Sequence, residues 1–468
     1  MNIVEKIKNN FIKRNDSIAV TRGAQNSITY SALFKQVELY SKKLQQNQVL
    51  PYDRVALFCE DSIEYIILAL SILNNGAVVV PLSPSLSYNE LESLCEQLKV
   101  KFILSEKKLD NYSLKPDCLF EKLYFYAIDK NIQYSLNYKN INSPAFIRFS
   151  SGTTGKSKGV LLTHHDIFHR VNAANHGLNI SERDTIGWFL SMSFHFVVSI
   201  LLFLLEGAHI ILAHDNFPAG IIDSFDKNRP TFLYASPFHY NMMANHQSIS
   251  KNLLSKTRMA VVTAVSLNKK TDNDFYQKFN IHLSQAYGII EVGLPFINNK
   301  YDNDFICSVG QLLPSYDLKI KNPDESGKGN ILLKGKGMYS AYIRPFKEQL
   351  SDEWFDTGDI GYLKDSYLFI TGRSKNMINF AGMKIFPEEV EKVILSFDNI
   401  KEVKVSGEPH EIYGQLPVAE IVLLKGNKIN NIKLKKHCLK RLDSYKVPKE
   451  FIIVASIEKT LSNKIKRV

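Results

Sequence analysis

Between two apolar runs, AFIRF at 145–149 and VLLT at 160–163, the chain reads SSGTTGKSKG. Small and hydroxylated residues leave backbone N–H groups and hydroxyls exposed, and Lys156 and Lys158 add positive charge. Together these suit a polyphosphate. The second half of the stretch, Gly155-Lys156-Ser157, matches the P-loop pattern, but Ser150 stands where that pattern requires its first glycine. A P-loop must also open a helix that faces the phosphates. Here the run that follows is β-branched and apolar, so the spacing predicts a phosphate-binding loop joining two strands. An ordinary hairpin turn has no need of two threonines and two lysines.

Three other places carry groups of the right kind. In Gln285-Ala286-Tyr287-Gly288-Ile289-Ile290-Glu291 the aromatic ring could stack on a base and the carboxylate could hold a Mg²⁺ that accompanies phosphates. In Trp354-Phe355-Asp356-Thr357-Gly358-Asp359 the last carboxylate could accept both hydroxyls of a ribose. Taken singly, a Tyr and a Glu near a turn are commonplace, and two aspartates are ordinary turn residues. His195, at the head of an apolar run, reads on its own as a packed core histidine rather than a catalyst.

The elements that must position these groups follow from periodicity. Helical spacing covers 27–45, with Ser31 as the cap, and strand-like runs alternate with helices: strand 54–58, helix 65–73, strand 77–80 closed by Pro81, helix 90–98 and strand 101–104. Such alternation implies a parallel sheet covered on both faces. After the loop come a helix at 166–174, an apolar helix at 194–205 and strands at 208–212, 231–234 and 259–265. Composition shifts toward turns after residue 298. The last hundred residues read as a small α+β domain: a hairpin at 377–386 around Ala381 and Gly382, then a helix at 387–397 with Pro387 in its first turn. Strands at 403–406 and 418–424, a basic helix at 432–442 and a strand at 451–457 complete it.

Composition limits the function classes. A length of 468 residues calls for more than one domain, and 45% hydrophobic with 22% charged residues describes a globular chain. The net charge of +11 is scattered and reads as solvated surface with an anionic ligand as a secondary cause, not as a nucleic-acid surface. Cys59, Cys95, Cys118, Cys307 and Cys438 are far apart and odd in number, which argues against a disulfide framework or a zinc site. The N-terminal stretch has no apolar signal core and the longest apolar runs are too short for a membrane span, so a cytoplasmic location is the default.

In order and spacing these pieces resemble the adenylate-forming superfamily of acyl-CoA synthetases, non-ribosomal peptide adenylation domains and beetle luciferases. SSGTTGKSKGV is similar to its phosphate loop, YGIIE to its aromatic-to-glutamate motif, WFDTGD to its ribose motif and GRSKNMINFAGMKIFPEEVE to its hinge. LDSYKVPK and KTLSNKIKR are similar to its closing motifs. The resemblance implies an α/β fold with a large N-terminal domain of mixed sheets covered by helices (1–372), a hinge (373–376) and a small mobile α+β lid (377–468).

It also implies that Ser150, Ser151, Gly152, Thr153, Thr154, Gly155 and Lys158 wrap the phosphates of ATP. Ala286, Tyr287 and Gly288 belong to the nucleotide site, with Tyr287 on the adenine; Glu291 binds Mg²⁺, Asp359 the ribose hydroxyls and Arg373 the ribose or phosphate. Lys375 takes the hinge position, and Lys464 bridges the substrate carboxylate and the α-phosphate. His195 falls at a gate beside an acyl pocket lined by Tyr234, Val262, Thr263, Ala264, Gln285 and Ile289. Gly382 lies beside the tunnel for a pantetheine arm.

The implied reaction is ATP-dependent activation of a small carboxylic acid, fatty or aromatic, to an acyl-adenylate, followed by transfer to coenzyme A or to the phosphopantetheine of a carrier protein. Phe194, His195 and Phe196 offer no carboxylate for an α-ammonium, which favours a plain acid over an amino acid. Ile290 replaces the family's usual Thr, and Asn463 its usual Gly before the lysine. These departures motivate the alternative of a nucleotide- or acyl-binding protein of the same fold without turnover.

Overall fold

Two sheets of mainly parallel strands organise the first compact unit, residues 1–317 and 334–353. The computed structural model describes all residues except 1, 12–15, 24–25, 110–116, 121–122, 129–140, 151–157, 214–216, 264–266, 303, 345, 350–352, 381–382, 411–412, 425, 461–463 and 468, and only the backbone of 117–120, 150 and 384. In one sheet the strands Leu283–Ile289, Met259–Val262, Phe232–Ala235, Thr185–Trp188, His209–Leu212 and Ile18–Arg22 run parallel in that order. In the other, Pro144–Ser150, Val78–Pro81, Arg54–Phe58 and Phe102–Ser105 run parallel, and Lys158–Thr163 is added antiparallel. Every residue of Arg54–Phe58 and Val78–Pro81 is buried, as expected for strands covered on both faces.

Helix Ile63–Asn74 is apolar on all sides and buried along nearly its whole length, so it must lie in the interior. The Ser62 hydroxyl caps it by accepting the Tyr65 N–H at 3.0 Å. Tyr65 of this helix and Phe146 of the second sheet both pack on Phe196, with ring centroids 5.8 and 6.2 Å away. Each aromatic ring buried this way contributes on the order of 2–3 kcal/mol. The outer faces of the sheets carry separate cores, one including Tyr240, Met243 and Phe275 and the other Leu91, Cys95 and Leu98. Among the described residues no helix is long and apolar enough to cross a membrane.

The second unit comprises residues 318–333 and 354–468. Its hairpin Phe355–Lys364 and Tyr367–Arg373 turns on Asp365 and Ser366, both at positive φ, the geometry that matches the twist of the flanking strands. A separate five-stranded sheet begins at Ile378. Helices Pro387–Leu395 and Asn431–Leu439 cover it around a core that includes Val390, Ile394, Val403, Ile421, Leu434 and Cys438. Contacts thus place the hairpin with the C-terminal residues, while the sheet that follows position 377 has a core of its own.

Three sequence expectations change in detail. Helix Tyr30–Gln46 is capped by Thr29, whose hydroxyl accepts the Ala32 N–H at 3.2 Å, not by Ser31, because strand Asn26–Thr29 runs straight into the helix. The single helix expected at 194–205 is broken into Met192–His195, a π-type turn Phe196–Leu201 and Leu202–Glu206. The Ser199 hydroxyl donates to the His195 carbonyl at the break, satisfying an acceptor outside the helical backbone ladder. The strands expected at 403–406 and 418–424 are parts of one long hairpin, Ile400–His410 with Gly414–Leu423.

Two predictions follow from buried ionisable groups. His164, whose Nδ1 accepts the Ile3 N–H, and His209, bonded to the Thr21 hydroxyl, are each pushed down by burial from 6.5 to about 4. Both stay neutral in the fold while the unfolded chain protonates them, so stability is full above pH 6.5 and falls as the pH drops toward 4. The expected loss is about 2 kcal/mol per histidine at pH 5. Urea unfolding across that window should show it, and His164→Asn should flatten the slope. In the second unit Arg467 closes on buried Glu391 at 2.6 Å. Arg467→Ala should lower the urea midpoint of the full chain by the equivalent of roughly 2–4 kcal/mol, since it leaves that carboxylate unpaired.

Candidate active site

The strands Pro144–Ser150 and Lys158–Thr163 stay paired antiparallel up to Ser150 opposite Lys158. Ser151, Gly152, Thr153, Thr154 and Gly155 lie outside the described residues, as do Ala264 and Gly382, and Ser150 is located by its backbone. The next strand, Ala341–Ile343, pairs with Lys158–Thr163 and sets Tyr342 opposite Val160. Its ring carries the Lys158 ammonium 4.6 Å from the centroid, and its hydroxyl donates to Glu291 Oε1 at 3.1 Å. Burial, then the Glu291 charge, pushes the Tyr342 hydroxyl far above its ordinary range, which keeps it protonated and donating. The Lys158 ammonium and the Glu291 carboxylate therefore meet on one tyrosine.

Glu291 is 7% exposed and follows strand Leu283–Ile289 in a tight turn. Val292 N–H closes the turn on the Ile289 carbonyl at 3.0 Å, and Gly293 leaves it at φ +111°, a conformation costly for any other residue. Arg170 holds the turn from behind. Its Nε donates to the Gly337 carbonyl at 2.9 Å, Nη1 to that of Ile290 at 2.9 Å and Nη2 to that of Glu291 at 3.4 Å. Tyr287 pairs with Phe296 and remains partly exposed, with the rings 6.1 Å apart, while Ala286 beside it is buried. A side chain at Gly288 would meet the Gly293 carbonyl at 2.9 Å, so this close approach requires glycine.

The residues expected to line an acyl pocket divide between the two faces of their sheet. Tyr234 stacks on Trp188 at 5.5 Å, and its hydroxyl bonds the side chain of Thr263. Val262 points the other way, into the core with Leu233 and Ala235. Gln285, in register with Val262, accepts the Leu267 N–H. Adjacent parallel strands bring the backbones of these residues together, but strand alternation separates the side chains. Ile289 is partly exposed at the end of its strand. His195 is partly buried at the end of helix Met192–His195, and the preceding Phe194 carbonyl accepts from the Arg148 guanidinium.

In the second unit Asp359 is 4% exposed and sits directly across the hairpin from Arg373. Arg373 Nε donates to Asp359 Oδ1 at 2.9 Å, and the Thr357 hydroxyl accepts the Asp359 N–H at 3.0 Å. The two residues expected at the ribose are thus paired with each other. Lys375 is exposed on the single turn Ser374–Asn376. Lys464 is exposed on a loop closed by pairing of Lys459 with Ile465 and by the Thr460 N–H on the Lys464 carbonyl at 2.7 Å.

Trp188, Arg148 and Tyr342 were not among the residues expected at the site. Arg148 was legible as a charge on an inward position of an apolar strand; Tyr342 gave no signal, because its partners are distant in sequence. As for a metal, the described residues contain no cluster of three or more ligating side chains. One buried carboxylate oriented by a tyrosine hydroxyl fits a Mg²⁺ that arrives on phosphates and keeps most of its oxygen ligands from them and from water.

A family model described as AMP-binding enzyme matches residues 8–343, and one described as AMP-binding enzyme C-terminal domain matches 389–464. The 2-succinylbenzoate–CoA ligase of Listeria monocytogenes is 26% identical over 453 residues, 94% of this chain and 93% of that protein. The 4-coumarate–CoA ligase 1 of Narcissus pseudonarcissus is 29% identical over 344 residues, 68% of this chain and 62% of the plant protein. Among solved structures, ATP-bound MatB from Rhodopseudomonas palustris superposes with a TM-score of 0.84 at 21% identity, covering 99% of this chain and 97% of that one. The o-succinylbenzoate CoA synthetase of Bacillus subtilis, with its acyl-adenylate intermediate, gives 0.82 at 22% identity, covering 98% and 96%.

The tyrosine bridge yields a prediction. Tyr342→Phe keeps the ring under Lys158 and removes the donor to Glu291. The Mg²⁺ concentration at which ATP stabilises the protein against heat should rise by about tenfold. An unchanged Mg²⁺ titration would show that the hydroxyl does not orient the carboxylate.

Proposed function

The chain belongs to the AMP-binding enzyme family, and from that membership we propose that it is an AMP-forming acid–thiol ligase. In the first half-reaction a carboxylate oxygen attacks the α-phosphorus of ATP, the bond to the β-phosphate oxygen breaks, and pyrophosphate leaves. In the second, a thiol sulfur attacks the acyl carbon of the adenylate, the bond to the AMP oxygen breaks, and the thiol proton passes to solvent. The products are a thioester and AMP. The observation that carries this reading is the convergence of Lys158, through Tyr342, on the buried carboxylate of Glu291.

Attack of one anion on another is slow unless positive charge compensates both and holds them in line. Residues 150–155 and Lys158 are assigned the β- and γ-phosphates, Tyr287 the adenine, and Asp359, kept in place by Arg373, the ribose hydroxyls. Glu291 would hold Mg²⁺, which when bound neutralises phosphate charge. Lys464 is assigned the acid carboxylate and the α-phosphate, and its anchored loop with an exposed side chain is consistent with that task. Lys375 is assigned the hinge. The Trp188–Tyr234 stack with the Thr263 hydroxyl favours an aryl or medium acyl group, in line with the 4-coumarate and 2-succinylbenzoate ligases among the relatives. Coenzyme A is the favoured acceptor, and a carrier-protein phosphopantetheine is the alternative.

Pyrophosphate release with ATP, Mg²⁺ and a panel of benzoate, octanoate, 4-coumarate and 2-succinylbenzoate tests the proposal. Release with at least one acid, and a thioester on adding coenzyme A, are expected. Lys464→Ala should slow release by about a hundredfold or more while ATP binding stays within a few-fold. ATP binding with no release across the panel would instead support a binding protein without turnover, and release by Lys464→Ala at the wild-type rate would remove that lysine from the chemistry.

A further inference from the structure

Successive side chains of strand Pro144–Ser150 point to opposite faces of its sheet. Ile147 enters the core shared with Leu91 and Leu98, while Phe146 turns the other way onto Phe196. Arg148, two residues on, shares the Phe146 face, so a full positive charge occupies an inward position of an otherwise apolar strand. Its guanidinium lies 5.6 Å from the centre of the Phe194 ring and donates through Nη1 to the Phe194 carbonyl. Nε is buried and has no hydrogen-bond partner among the described residues.

A buried cation with an unsatisfied donor costs stability unless something answers it. The Glu291 charge favours the charged form of Arg148, but Arg148 makes no ion pair among the described residues. Burial lowers its pKa to about 10, so it stays charged at neutral pH. Arg170 adds repulsion, and its own donors are occupied by the carbonyls of Gly337, Ile290 and Glu291. Glu291 is the carboxylate assigned to Mg²⁺, and its charge is compensated once the metal binds. With that charge compensated, Arg148 would be left without a counter-ion among the described residues.

We infer that Arg148 binds an oxyanion of the reactants, a carboxylate oxygen of the acid or a phosphate oxygen of ATP, beside the Phe194 carbonyl. The inference rests on the acid-activating reading and adds to it a cation supplied by the large unit itself, independent of Lys464. A planar guanidinium whose Nε lacks a partner among the described residues suits recognition of either group.

The test compares wild type, Arg148→Met and Arg148→Lys in the full chain, using whichever acid of the panel supports pyrophosphate release. Silence of the wild type would count against the proposed function, before any variant is made. With an active wild type, Arg148→Met should lower kcat/KM for the acid or for ATP by about tenfold to a hundredfold, and Arg148→Lys should recover part of the loss. A larger fall for the acid identifies its carboxylate as the bound group; a larger fall for ATP identifies a phosphate oxygen. If Arg148→Met does not fold, Arg148→Lys decides alone, because lysine keeps the charge without the planar donors. Values within twofold of wild type for both reactants would overturn the inference. So would an equal fall in both that lysine does not restore, since that is the mark of a structural role.

Discussion

The buried guanidinium of Arg170 ties the turn that carries Glu291 to the segment that leads to Tyr342. It is 2% exposed and bonds backbone carbonyls of two segments far apart in sequence, Ile290 and Glu291 on one side and Gly337 on the other. The first segment carries the motif carboxylate, and the second leads directly into the strand that carries Tyr342. Burial disfavours the charged form of Arg170, so the fold accepts a desolvation cost to hold this register. The hydrogen bond from Tyr342 to Glu291 follows from that register. Removing the guanidinium would take a donor from the carbonyls of Gly337 and Ile290, while that of Glu291 would keep the Tyr339 N–H at 2.7 Å.

The parallel sheet follows a different logic. Parallel strands ending at Ala235, Val262 and Ile289 place their C-terminal ends side by side, the edge of a parallel sheet where ligands usually bind. Alternation then selects which side chains share a face: Trp188, Tyr234 and Phe203 on one, Leu233, Ala235 and Val262 on the other. Position along a strand is therefore a weaker guide to pocket lining than parity. The broken helix at 192–206 adds a second constraint, because the Ser199 hydroxyl and the Arg148 guanidinium satisfy the carbonyls of His195 and Phe194 where the helical ladder is interrupted.

In the second unit, short-range pairing does the positioning. Asp359 and Arg373 face each other because a two-residue turn sets the hairpin register as far as Gly361 and an irregularity there shifts it by one residue. The tail bearing Lys464 is held beyond the lysine by Arg467, which reaches the Val405 carbonyl at 3.1 Å and the Glu391 carboxylate at 2.6 Å. Burial raises the Glu391 carboxyl while Arg467 opposes it, so each group limits the cost of burying the other.

Local order was readable before any coordinates. Period and punctuation located the alternating strands and helices, the paired strands on either side of 151–157 and the small α+β region after 377, because hydrophobic period and turn chemistry are properties of neighbouring residues. The motifs named the reaction class through residue types that the chemistry demands. What the tertiary structure alone decided were contacts between segments distant in sequence and the parity of buried side chains. Tyr342 meets Glu291 across 51 residues and Arg170 reaches Gly337 across 167. Val262 turns away from Tyr234, and Thr29 displaces Ser31 as a cap. No local pattern encodes these, because sheet register and the packing of distant strands exist only once the chain has closed on itself.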